Sequence, residues 1–274
     1  MSQSLGAEQV SDFQELIWEY YHDYGRHDLP WRQAEPDGSF DPYKIMVSEL
    51  MLQQTQVARV IPKYQSLIEQ FANTRELAGE DLGTVLRAWQ GLGYNRRAKY
   101  LWEAAKIVDK LKHFPKTCDE LVKLPGIGVN TAGAILAYAY NFPAIFIETN
   151  VRTVFIHHFF ADRGDVADKD IIPLLEQTLD REQPREFYWA LMDYGSHLKA
   201  TVGNRNKASR HYTKQSKFHG SRRQIRGQII RLLTEQAYTG RELSQIVADK
   251  RSEAILQELL AEELIRRSGS RYHL

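Results

Sequence analysis

The sequence predicts an all-α protein that ends in a small winged-helix-like module. Three observations carry this. Apolar residues recur at three- and four-residue spacing along most of the first ~195 residues. No alternating strand pattern of any length precedes residue 260. The closing stretch LIRRSGSRYHL holds two short β-capable runs about Ser268-Gly269-Ser270, a hairpin signal. At 274 residues, 43% hydrophobic and 26% charged, the chain can bury a sizeable core.

Phe13 to Tyr24 (FQELIWEYYHDY) sets aromatic and apolar residues at helical spacing. Asp41-Pro42 reads as a cap and a first-turn proline, opening a helix that continues through Leu52 toward Val60. Leu82 to Trp89 and Arg97 to Leu111 read as amphipathic helices. Cys118 to Val122 reads as a short one and Thr131 to Tyr140 as an Ala-rich one. Val151 to Phe160 keeps the spacing despite its β-branched residues, and Ile171 to Leu179 and Phe187 to His197 complete the set. Residues 199–221 lack apolar periodicity and read as a linker. Three helices then follow: Gln224 to Gln236, Arg241 to Val247 after Thr239-Gly240, and Ser252 to Glu263 capped by Ser252. The expected domains are 1–198, a basic linker over 199–221 and a module over 222–274.

The net charge of +1 says nothing about a partner, but its distribution does. Ten Lys or Arg and no Asp or Glu lie between Lys199 and Arg231. Such a run points to a polyanion and makes Arg222, Arg223 and Arg226 candidate phosphate contacts. Cys118 is the one cysteine, which excludes an intrachain disulfide and a multi-cysteine metal or iron–sulfur site. The N-terminus has no basic run followed by an apolar core, and no apolar run nears the ~18 residues of a membrane span. A cytoplasmic, nucleoid-associated protein is expected, without a membrane partner.

Leu124-Pro125-Gly126-Ile127-Gly128 is the sharpest motif. Two glycines in a tight turn between helices permit backbone shapes closed to other residues. They also leave the amides of the next helix bare, where a phosphate binds. In Ser48-Glu49-Leu50-Met51-Leu52-Gln53-Gln54-Thr55, helical spacing puts Glu49 beside Ile45, Met46, Leu52 and Gln53. A carboxyl on an apolar face is desolvated, which favours its protonated form and suits a general acid. Glu148 differs, because it starts a helix, where the dipole favours the ionised form. Two carboxyls driven to opposite protonation states are the usual equipment for breaking a glycosidic bond.

Over about residues 10–198, these motifs together resemble the helix-hairpin-helix DNA glycosylases of the endonuclease III superfamily, and within it the MutY-type adenine DNA glycosylases. The resemblance is carried by DLPWR (28–32), DPYK (41–44), SELMLQQT (48–55), GLGYNRRA (91–98), LPGIGVNTAGAI (124–135), ETNVRTV (148–154) and LMDYG (191–195), in family order. It implies a two-lobed all-α fold and excision of adenine mispaired with 8-oxoguanine or guanine. Glu49 matches the acid that protonates the departing base, and Glu148 the catalytic carboxylate with Asn150 beside it. Gln54 and Tyr94 match residues that wedge into the base stack, which a buried glycosidic bond requires. Leu29, Trp31 and Arg32 match part of the pocket wall, and Gly126 and Gly128 the phosphate-binding hairpin. Gln53, Thr55, Asn130 and Thr131 join the expected DNA contacts. The implied partner is double-stranded DNA bearing a mispaired or damaged base, bound by a monomer.

Four departures stand out. The family has Asp where this chain has Glu148, a difference of on the order of 1 Å in reach, enough to cost ~100-fold in rate if uncompensated. Asn130 stands where bifunctional members carry a lysine, so no Schiff base forms there and a monofunctional enzyme is expected. After LMDYG the four cluster cysteines are missing, so no iron–sulfur cofactor is expected; a monovalent cation at the hairpin is the ion left to consider. The C-terminal module is too short for the Nudix-like domain that reads 8-oxoguanine. Two alternatives stay open: a glycosylase of the same fold for a deaminated or alkylated base, and a non-catalytic binder of damaged DNA.

Overall fold

The structure is a computed structural model that describes residues 4–215 and 217–274. It is mostly helical, as expected. In chain order, α1 (Ala7–Tyr24) is followed by a 3-10 turn at Pro30–Arg32 and by α2 (Pro42–Leu52). The Asp41 carboxylate accepts the Tyr43 amide at 2.8 Å, so the Asp-Pro start of α2 is the cap its sequence predicts. The helix does not continue toward Val60. It ends at Leu52, and a turn with Gln54 at φ 55° leads into a separate helix, α3 (Val57–Gln70). An unforeseen α4 (Thr74–Gly79) follows, capped by the Asn73 side chain, which accepts the Glu76 amide at 3.0 Å. Next come α5 (Leu82–Ala88), α6 (Arg96–Leu111), α7 (Cys118–Leu121), α8 (Val129–Tyr140), α9 (Thr149–Phe159), α10 (Asp168–Thr178) and α11 (Pro184–Thr201).

The first part of the stretch read as a linker over 199–221 holds regular structure, while Ser216 lies outside the described residues. α11 runs to Thr201, Arg205–Ala208 form a 3-10 turn, and Val166 donates to the Ala208 carbonyl at 2.9 Å. Polar side chains and short backbone bonds build this stretch, and apolar periodicity cannot register them. The last elements are α12 (Arg222–Glu235), β1 (Tyr238–Thr239), α13 (Gly240–Val247), α14 (Ser252–Ala261), β2 (Arg266–Ser268) and β3 (Arg271–His273). The strands form one antiparallel sheet of order β1-β3-β2, with Tyr238 opposite Tyr272. β1 was not apparent, since two residues carry no alternation. Ser252 is not a cap: it is the first residue of α14, and its hydroxyl donates to the Asp249 carbonyl at 2.5 Å.

The chain divides into two compact units that do not follow chain order. The first takes residues up to Ile45, Pro115–Lys123 and Ile127–Lys214. Its core sets α1 and α9 against α11, with Ile17, Phe155 and Phe187 fully buried. Each such side chain contributes roughly 1.5–3 kcal/mol. A Cβ at Gly195 of α11 would run into the Asn150 backbone, so this contact requires glycine. The second unit takes Met46–Phe114, Leu124–Gly126 and Gln215–Leu274. Its core sets α4 and α5 against α6, with Leu67, Leu77, Trp89 and Leu101 fully buried. The three C-terminal helices pack there through α12 against α5.

Candidate active site

Glu49 lies in the last two turns of α2 and is 9% exposed, with Met46 and Leu50 fully buried around it in sequence. What ends this helix is a buried arginine. Arg97 of α6 is 6% exposed, and its Nη1 donates to the carbonyls of Leu50, Met51 and Gln53 at 2.7, 2.8 and 2.7 Å. The first two are among the carbonyls that a helix end leaves without partners within the helix. Its Nη2 donates to Thr55 Oγ1 at 3.1 Å and to the carbonyls of Leu92 and Gly93 at 3.3 and 3.0 Å. Burial pulls the guanidinium down to about 10, still charged at neutral pH. One side chain thereby ties the Gln53–Thr55 turn to the Leu92–Gly93 turn. Gln54 and Tyr94 stand at these turns, both left-handed, at φ 55° and 48°. Such backbone is uncommon for residues other than glycine and marks a shape the surroundings enforce. Arg97 sits within GLGYNRRA, but neither charge nor spacing separates it from Arg96, which is exposed and pairs with Glu262 at 2.5 Å.

In the hairpin, only Gly126 is in the left-handed region, at φ 78°, and a Cβ there would come within 2.8 Å of Tyr100 Cβ. Gly128 is extended, at φ −89°, so the turn does not require glycine there. Its missing side chain leaves open space in front of the α8 amides, since a Cβ would meet nothing within 4 Å.

Glu148 is half-buried and is the N-cap residue of α9, yet its side chain makes no cap bond to that helix. The peptide before it is clamped. Asn130 Nδ2 donates to the Ile147 carbonyl at 3.0 Å, and the Ile147 amide donates back to Asn130 Oδ1 at 3.3 Å. Arg152, which pairs with Asp168 at 2.7 and 2.8 Å, also reaches the Ile147 carbonyl at 3.5 Å. Asn150 stands half-buried in the first turn of α9, its backbone pressed on Gly195. Thr131 follows in the first turn of α8.

Leu29 and Trp31 are buried, at 5% and 6% exposure. Arg32 is committed to Asp193 through two bonds of 2.8 and 2.9 Å, and Arg26 joins the same carboxylate at 2.8 Å. Burial raises the Asp193 carboxyl, but the two guanidiniums outweigh it and hold it below its ordinary value. This network was not legible in the sequence, though Asp193 lies within the LMDYG motif, because its two arginines come from a segment 161 to 167 residues away. Two expected phosphate contacts are also committed elsewhere. Arg222 pairs with Glu258, and Arg226 pairs with Glu258 and Glu262. A one-letter basic run cannot reveal carboxylates that arrive from α14. Arg223 donates to the Tyr94 hydroxyl. Among the described residues no group of three or more His, Cys, Asp or Glu could hold a metal ion, and no helix is long and apolar enough to cross a membrane.

Comparisons with known proteins bear on this arrangement. Residues 47–176 match the model of the HhH-GPD superfamily of base excision DNA repair proteins. The chain is 37% identical over 190 residues to an adenine DNA glycosylase of Buchnera aphidicola, covering 67% of this chain and 52% of that one. It is 38% identical over 196 residues to an adenine DNA glycosylase of Mycobacterium tuberculosis, covering 70% and 62%. The chain thus spans about half to three fifths of the length of these relatives. A thermostable thymine-DNA glycosylase shares the fold with a TM-score of 0.60 at 22% identity, over 72% of this chain and 91% of the other.

Proposed function

We propose that the chain, whose residues 47–176 match the model of the HhH-GPD superfamily of base excision DNA repair proteins, is a monofunctional adenine DNA glycosylase. It hydrolyses the N-glycosidic bond of adenine mispaired with 8-oxoguanine or guanine in duplex DNA. The bond from C1′ to the base breaks, water supplies the new hydroxyl at C1′, and the products are free adenine and an abasic site. Glu49 protonates the departing adenine, and Glu148 with Asn150 stabilises the positive charge that develops on the sugar. Gln54 and Tyr94, with Gln53 and Thr55 beside them, fill the gap left by the everted base. The amides after Gly126 and Gly128 hold a backbone phosphate, with Asn130 and Thr131 at the helix start. Leu29, Trp31 and Arg32 back the pocket wall. Asn130 offers no amine for a Schiff base, so strand cleavage is not part of the reaction. The observation that carries this reading is the Arg97 knot. It supports the strained turns of Gln54 and Tyr94 and closes the helix of Glu49.

The test is a panel of duplex oligonucleotides carrying A opposite 8-oxoguanine, A opposite G, U or T opposite G, and hypoxanthine, each followed by hot alkali. Alkali-dependent breaks at the two adenine mispairs are expected. Their absence on both removes the adenine assignment, and breaks of equal extent without alkali remove the monofunctional one.

A further inference from the structure

α12 presents two unlike faces within the second unit. Arg222 and Arg226 turn to Glu258 and Glu262, beside a cleft of about 450 Å³ that those carboxylates share with Arg96. On the other side lies a larger cleft of about 710 Å³, lined by Arg59, Gln90 and Tyr94 and, from the C-terminal part, by Phe218, Arg223 and Arg231. Its lining includes several glutamines and no Asp or Glu. Arg59 and Arg231 are exposed. Phe218 is 53% exposed, far more than a core aromatic, and the Arg223 guanidinium lies 5.4 Å from its ring centroid. The same guanidinium lies 5.0 Å from the Tyr94 ring, and Gln215 donates to the Tyr94 hydroxyl at 2.5 Å. Aromatic faces, amides and the exposed guanidiniums of Arg59 and Arg231, without a carboxylate, match one ligand chemistry. Phosphates seek the guanidiniums, unstacked bases seek the aromatic face, and base edges seek the amides.

We propose that this cleft binds an unpaired DNA strand, with Phe218 as a stacking platform and Arg59 and Arg231 as phosphate contacts. The C-terminal module then supplies one wall of a nucleic-acid site rather than reading a duplex through α14, whose Glu258 is engaged with arginines. An undistorted duplex keeps its bases stacked on one another and offers the exposed Phe218 ring no free base face, whereas an unpaired strand does, which is why a single strand is the occupant.

The full-length protein would be titrated against a fluorescein-labelled single strand of about 12 nucleotides, undamaged, across a range of salt. Arg59→Gln and Arg231→Gln should each reduce the slope of log K against log salt by about 0.7. Phe218→Ala should weaken binding about tenfold, with Phe218→Tyr restoring it. Arg222→Gln, which removes a guanidinium already paired with Glu258, should leave the slope unchanged. Unchanged slopes in both the Arg59 and Arg231 variants, or wild-type binding by Phe218→Ala, would overturn the proposal. Thermal melting of each variant separates lost contacts from lost fold. Binding to an undamaged strand is read without base excision, so failure of the glycosylase reading and failure of the cleft are separate results.

Discussion

Glu49 and Glu148 are the same side chain on two opposite kinds of support. Glu49 is set inside a helix that is buried along nearly its whole length and is terminated by a guanidinium from α6. Glu148 is set at the mouth of a helix, half-exposed, on a peptide held by hydrogen bonds from Asn130 and Arg152. Packing places the first, and a few polar bonds place the second. Disturbances should therefore travel differently in the two regions. Substitutions in the scaffold around Glu49 should act chiefly through stability, and those in the scaffold around Glu148 chiefly through rate.

The sharpest way to break the comparison is to remove the chemistry of the first acid. Glu49→Gln keeps the shape and deletes the proton, and single-turnover excision from an adenine mispair should fall by about 10²–10⁴-fold. A rate within a few-fold of wild type would remove Glu49 from the reaction. Next comes the support of that region. Arg97→Met strands several carbonyls and should cost about 3 kcal/mol in urea denaturation. An unchanged midpoint would mean that the two turns stand without it.

On the other side, Glu148→Asp tests whether the longer acid is built in. If the clamped peptide is placed for a glutamate, the shorter one should slow excision by about 100-fold with little change in melting temperature. A faster enzyme would show that the backbone still suits the family's aspartate. The smallest effect is expected at the clamp. Asn130→Ala removes both bonds to Ile147 and should lower the rate by about tenfold, worth roughly 1.4 kcal/mol, while substrate binding stays near wild type. A loss confined to binding would make Asn130 a DNA contact only.

Much of the fold was legible from periodicity and punctuation. Asp41-Pro42 marked a helix start because a side-chain acceptor and a missing amide act locally. The break at Gln54 was not legible, because what ends α2 comes from a residue over forty positions away. The same is true of Arg222 and Arg226. Their charges are plain in the sequence, but the carboxylates that pair with them arrive from α14. The second glycine of LPGIG read both as a conformational necessity and as an opening in front of a helix, and only the opening holds there.

By itself the sequence determined the helical class, the single cysteine and the chemistry-bearing types: a carboxyl in an apolar helix, a carboxyl at a helix start, a glycine hairpin and an asparagine in place of a lysine. These are local properties, set by covalent structure and by neighbours within a turn or two. Only the tertiary structure decided which charges remain available. It committed Arg32, Arg222 and Arg226 to carboxylates and spent Arg97 on backbone carbonyls. It left Arg59 and Arg231 exposed around an acid-free cleft. Whether a guanidinium meets a carboxylate, a carbonyl or solvent depends on which distant elements pack beside it, and no window along the chain contains that information.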